Sequence, residues 1–98
     1  MLVLIVYDVE TKTPEGRRRL GKVAKICVNH GQRVQNSVFE CLLSEDQFIE
    51  VQAKIEHIAS RDLDSIRYYN LGNNWKTKIK RFGGEKRNEY NPQGPIIL

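Results

Sequence analysis

The chain has 98 residues, a hydrophobic share of 40%, a charged share of 29% and a net charge of +4. That size and balance fit one globular domain around one core, and they exclude a disordered or fibrous chain. The two cysteines, Cys27 and Cys41, lie far apart in sequence, which excludes a disulfide framework or a zinc cluster within the chain, so both read as small core residues.

The apolar run Leu2 to Tyr7 is too short to span a bilayer and has neither a basic leader nor a cleavage-site pattern. A cytoplasmic protein with no membrane association is therefore expected. The stretch LVLIVYD, Leu2 to Asp8, is apolar on successive residues and rich in branched side chains, which suits a central strand buried on both faces. It ends in a carboxylate, Asp8.

Thr13 and Pro14 read as a helix N-cap and first helical residue, and Leu20, Val23, Ala24 and Cys27 follow at helical spacing up to a stop at Gly31. Arg18, Lys22, Lys25 and Asn29 fall on the opposite, solvent-facing side. Arg17, Arg18 and Arg19 occupy the first turns, where each exposed cation opposes the helix dipole by about 0.3 to 1 kcal/mol. Three together point to a compensating gain such as phosphate binding.

Arg33 to Leu43, RVQNSVFECLL, reads as strand, with Ser37, Phe39, Cys41 and Leu43 on one side and Val34, Asn36, Val38, Glu40 and Leu42 on the other. Asn36 and Ser37 are compatible with a tight turn, which leaves open one bent strand or a hairpin. Ser44 and Gln47 fit a capping box, followed by a helix whose apolar stripe is Phe48, Val51, Ile55 and Ile58. Asp64 to Leu71 alternates like a strand, Gly72 to Asn74 turns, and Trp75 to Phe82 suggests a short helical turn leading to another strand. After Gly83 and Gly84 the chain is polar, then ends in GPIIL, an apolar tail expected to dock as an edge strand on a neighbouring chain.

This order predicts an α+β fold, a ferredoxin-like βαββαβ sandwich over residues 1–83, with two helices on one face of an antiparallel sheet. Residues 84–98 form a C-terminal extension with a terminal strand. The second sheet face stays open although its strands are apolar, and dimerisation through that face is the economical way to cover it.

The charge is segregated. Residues 15–25 and 76–87 together carry +9, which leaves the remainder at −5. A basic patch on a small domain favours a polyanionic partner, usually nucleic acid. Asp8 is the candidate for chemistry: a carboxylate at the carboxyl end of a central strand emerges into a loop-lined crevice. One carboxylate makes a poor magnesium site, but two-fold symmetry would pair Asp8 with a second copy around one ion, which could activate water beside a scissile phosphate. Glu10 and Glu40 are further candidate ligands. His30 and His57 lack matched cysteine or acid spacing, and neither a nucleophile signature nor a Gly-rich phosphate loop occurs. An RNA-binding sheet would need stacking aromatics, and Tyr68 and Tyr69 alternate faces, so at most one would serve.

With these residues assembled, the chain resembles the CRISPR-associated protein two family, the small ferredoxin-like subunit that accompanies the spacer integrase. LVLIVYDV is similar to the family's first strand with its terminal aspartate. RRLGKVAKICVNHGQRVQNSVFE is similar to its basic helix, glycine stop and following strand, and DSIRYYNLG to its later strand. The G-x-R-V-Q-N-S-V-F-E-C and L-G-N-N-W patterns and the terminal P-x-x-L resemble members from type I-C systems. The resemblance implies a homodimer whose two Asp8 side chains share a divalent ion, Mg2+ or Mn2+, with phosphodiesterase activity on double-stranded DNA or single-stranded RNA. It also implies that Tyr7 supports the site, that Ser37 and Phe39 belong to the strand beside it, and that Arg19 and Arg33 match basic positions linked to nucleic acid. The loop Glu10 to Gly16 is longer than in shorter members, so Arg17, Arg18 and Arg19 all stand near the family arginine, with Lys22 at another cationic position. The alternative that the same resemblance implies is a non-catalytic dimeric scaffold that bridges integrase dimers and holds prespacer DNA.

Overall fold

A computed structural model describes residues 1–84. β1 (Leu2–Asp8) is an interior strand of a four-stranded sheet, with Val3, Ile5 and Tyr7 buried on one face, while on the other only Leu2 is buried and Leu4 and Val6 are half-buried, short of the two-sided burial expected from its apolar run. α1 (Pro14–Val28) begins at the expected cap, where the Thr13 hydroxyl oxygen accepts from the Gly16 amide and Pro14 occupies the first helical position. The segment that sequence left undecided is a hairpin: β2 (Gly31–Gln35) and β3 (Val38–Leu42) pair antiparallel across a turn at Asn36 and Ser37, with a register shift between Arg33 and Gln35. α2 (Glu45–Ile58) starts from the complete Ser44–Gln47 capping box, and β4 (Ser65–Asn70) returns to the far side of β1.

The strand order β2-β3-β1-β4, with every neighbouring pair antiparallel and the βαββαβ sequence of elements, is the expected ferredoxin-like arrangement. Val3, Ile5 and Tyr7 of β1 and Phe39 and Cys41 of β3 pack under the helices against Leu20, Val23, Ala24, Cys27, Val51 and Ile55. Cys27 and Cys41 are buried free thiols, the second donating to the Cys27 carbonyl oxygen at 3.4 Å. Gly31 is dictated by close approach of the hairpin, since a Cβ there would lie 1.8 Å from the Glu40 carbonyl oxygen.

The opposite sheet face is only partly covered. Leu2 is buried at one end of it by Trp75, with Leu42, Leu71 and Ile79 around them. A 3-10 turn, Trp75–Lys78, carries that tryptophan and is shorter than the helical turn expected over Trp75 to Phe82; no strand follows it through residue 84. Towards the other end Leu4, Val6 and Val38 are half-buried and Tyr69 is exposed. Tyr68 lies on the helix side, edge-on to Phe48 with its hydroxyl on Glu56, so Tyr69 alone of the two faces outward from the sheet. The expected terminal strand and residues 85–98 fall outside the described residues. No described helix is long and apolar enough to cross a membrane.

Candidate active site and basic surface

Asp8 is the last residue of β1, paired with Ser65 at the first position of β4. On the other side, the β3 pairing ends at Val6 with Val38, and the Tyr7 amide donates to the Ser37 carbonyl oxygen at 2.9 Å. Successive strand residues point to opposite faces, so Tyr7 is buried beneath the helices while Asp8 is exposed at the end of the uncovered face. Among the described residues the Asp8 side chain makes no hydrogen bond or ion pair, and no group of three or more His, Cys, Asp and Glu side chains gathers. One chain therefore offers a divalent ion a single carboxylate, which is an incomplete donor set.

The two auxiliary acids do not join it. Glu10 is exposed and accepts the Lys12 amide at 2.7 Å, closing its own loop. Glu40 stands opposite Leu4, four positions along β1 from Asp8, or about 13 Å at strand rise. Burial pushes the Glu40 carboxyl above the usual range, partly offset by the Gln32 side-chain amide and by Arg81. The strand geometry thus rules Glu40 out as a ligand beside Asp8 of the same chain.

Behind Asp8, on the helix side, lies a polar cluster that sequence did not reveal. The Asp64 side chain is fully buried and accepts from both nitrogens of the Arg19 fork, Nε at 2.8 Å and Nη2 at 3.1 Å. The Tyr7 hydroxyl and the Ser60 amide also donate to Asp64 Oδ2. Burial alone would raise the Asp64 carboxyl, but the hydrogen bonds from Arg19, Tyr7 and Ser60 outweigh it and hold the group below the usual carboxylate range. The same burial, then the bond to Asp64, pushes Tyr7 up to about 12. DSIRYYNL contained Asp64 as a lone acid before a strand, and only tertiary folding brings Arg19 and Tyr7 to it.

Arg19, grouped by sequence with the candidate nucleic-acid-binding cations, is turned inward to this carboxylate. Arg33 is likewise engaged: its Nε donates to the Asn36 carbonyl oxygen at 2.7 Å and its guanidinium lies over Phe39, 5.7 Å from the ring centroid, bracing the hairpin turn. Phe39 is a core residue, and Ser37 serves the β1 end through its backbone. Arg17 Nη1 donates to the Thr11 carbonyl oxygen and ties down the loop before α1. Arg18, Lys22 and Lys25 are exposed along the outer side of α1, as the periodicity requires. A groove of about 320 Å³ between the two helices is lined by Glu15, Arg18, Arg19, Lys22, His57 and Ile58. His57 thus lines the same groove as Arg18 and Lys22.

Comparison with known proteins agrees with this architecture. A family profile described as "CRISPR associated protein Cas2" matches residues 1–79. The chain is 45% identical over 98 residues to the CRISPR-associated endoribonuclease Cas2 of Chlorobaculum tepidum, covering all of both chains. It is 49% identical over 85 residues to the CRISPR-associated endonuclease Cas2 of Halalkalibacterium halodurans, covering 87% of this chain and 88% of that one. The crystal structure of Streptococcus pyogenes Cas2 at pH 6.5 superposes with a TM-score of 0.78 at 49% identity, covering 85% of this chain and 100% of that one. With the strand order, the aspartate closing the first strand and the profile match in agreement, the chain belongs to the Cas2 family of CRISPR-associated proteins.

Proposed function

We propose that this protein is a metal-dependent phosphodiesterase of CRISPR spacer acquisition that acts on double-stranded DNA or single-stranded RNA as a two-fold dimer. The observation that carries this reading is the setting of Asp8. It is a solvent-exposed carboxylate, without a partner among the described residues, at the end of a central strand on a half-apolar sheet face that the helices leave uncovered. Burying such a face against a second copy would bring two strand ends towards one axis, so that Asp8 and the partner subunit's Asp8 supply two carboxylates to one ion. Magnesium or manganese held there would neutralise charge on the scissile phosphate and lower the pKa of an attacking water. Arg18 and Lys22 would hold the phosphate backbone. The names of the relatives, endoribonuclease in one case and endonuclease in the other, support phosphodiester hydrolysis and leave both nucleic acids in play.

A second reading is favoured by a different observation. The exposed cations of α1 lie on the helix layer, whereas Asp8 opens onto the other side of the sheet. A duplex lying along α1 would be held away from Asp8, as suits a scaffold that bridges integrase dimers and binds prespacer DNA. The sequence patterns similar to members from type I-C systems are compatible with either role. The deciding experiment pairs spacer acquisition in cells carrying Asp8→Ala with a nuclease assay of the same purified variant. Loss of both supports cleavage as the physiological act, and acquisition without cleavage supports the scaffold.

A further inference from the structure

Resting on the assignment of Asp8 above, we infer that Asp64 is a positioning residue for that site, acting through Tyr7 to fix the end of β1. The geometry is specific. β1 loses its β3 ladder after Val6, apart from the Tyr7 amide on the Ser37 carbonyl, so the backbone of Asp8 is paired only with Ser65 of β4. Asp64 is the residue immediately before Ser65. Its carboxylate reaches to the helix side and takes the hydroxyl of Tyr7, the residue immediately before Asp8. The same carboxylate takes the Arg19 fork from α1 and the Ser60 amide from the turn after α2. One fully buried side chain therefore joins the end of β1, the start of β4, the first half of α1 and the loop leaving α2.

A strand end paired on one side only is a place where a ladder frays. A carboxylate that must meet its symmetry mate around a small cation tolerates little fraying, because magnesium demands near-ideal coordination and displacements near 1 Å can cost about a hundredfold in rate. The Tyr7 phenol on Asp64 removes the freedom that the missing β3 pairing would leave. Arg19 completes the arrangement by keeping Asp64 ionised and pointed at Tyr7, which explains why a cation near the start of α1 faces inward rather than to solvent.

The test compares Tyr7→Phe and Asp64→Asn with wild type and with Asp8→Asn in the full chain, below the melting temperature of every variant. Amide exchange is read at Tyr7 and Asp8 against the core amides of Val3 and Ile5. Both latch variants should exchange about tenfold faster or more at the strand end with the core amides unchanged, and the double variant should be no worse than Asp64→Asn alone. Manganese binding and cleavage are read in parallel. The latch variants should lower kcat by about tenfold with KM for duplex unchanged. Unchanged exchange at Tyr7 and Asp8 in both latch variants overturns the inference, whatever the activity. Faster exchange with wild-type kcat and wild-type manganese binding also overturns it, because the latch would then be structural only. Wild-type cleavage by Asp8→Asn, in contrast, removes the assignment of Asp8, and the inference with it, even where the exchange data show the latch.

Discussion

Tyr7 and Asp8 are consecutive residues of one strand that face opposite sides of the sheet, Tyr7 fully buried with its hydroxyl on Asp64 and Asp8 exposed on the uncovered face. The strand end is thus anchored from the helix side and offers its carboxylate on the other. Asp8→Asn keeps the size and hydrogen-bonding capacity of the side chain and removes the charge that attracts a cation. Cleavage by the purified variant should fall to background, while its circular dichroism, oligomeric mass and duplex affinity match wild type. Calcium should bind wild type yet support cleavage poorly, since its looser coordination positions an attacking water less well. Wild-type cleavage by Asp8→Asn would transfer the activity to another site.

The buried Asp64 carboxylate makes stability depend on pH at both extremes. Its carboxyl is held low in the folded state, because the donors from Arg19, Tyr7 and Ser60 outweigh the cost of burial. It therefore contributes stability above its unfolded value of about 3.9, and that contribution is lost as pH falls through the lower folded value. Tyr7 has the opposite sign: its phenol is raised from 10.0 to about 12 by burial and by Asp64, so its contribution is complete below 10 and lost as pH climbs towards 12. Asp64→Ala should destabilise by about 2–4 kcal/mol at pH 7, through the unpaired Arg19 and Tyr7 groups it leaves. The gap from wild type should shrink in denaturant titrations below about pH 4. A gap constant from pH 3 to 7 would place the effect in packing instead.

The contrast between Asp8 and Asp64 also shows how far the sequence could be read. Asp8 was visible because a carboxylate closing an apolar run breaks a pattern, and the helices were visible because Thr13–Pro14 and Ser44–Gln47 are local signals that the structure obeys. Asp64 was not, since its meaning lies in Arg19 and Tyr7, 45 and 57 residues away. For the same reason periodicity could place Arg19 near the first turns of α1 but could not say that its fork turns inward. The hairpin at Asn36 and Ser37 stayed ambiguous because alternation continues through the turn. Only the approach of Gly31 to the Glu40 carbonyl makes the antiparallel pairing evident.

Two glycines give opposite stability tests. Gly21 lies on the exposed side of α1, and a Cβ there would meet nothing within 4 Å. Gly21→Ala should stabilise by about 0.5–1 kcal/mol through helix propensity, seen as a higher denaturation midpoint at unchanged m-value. Gly31→Ala meets backbone at 1.8 Å and cannot be relieved by a rotamer change. It should destabilise by several kcal/mol, on the order of the largest single-substitution effects, or leave the protein insoluble. Equal midpoints for the two variants would contradict the hairpin geometry.

The basic surface of α1 makes a prediction that nuclease chemistry does not. Arg18, Lys22 and Lys25 are exposed with no ion pair among the described residues, whereas Arg19 is held by Asp64 and Arg33 by the hairpin turn. If the first three meet phosphates, each releases condensed counterions on binding, and the slope of log affinity against log salt should fall by about 0.9 for each contact removed. Arg18→Ala and Lys22→Ala should therefore each flatten the salt dependence of duplex binding by about one unit and weaken unrelated sequences equally. Arg33→Ala should act differently, lowering stability through the turn it braces and changing the salt slope little. Measurement of binding isotherms at four or five salt concentrations for two unrelated duplexes separates these outcomes. A loss confined to one sequence would mean that a base edge is read, and an unchanged slope in both Arg18→Ala and Lys22→Ala would move the nucleic-acid surface away from α1.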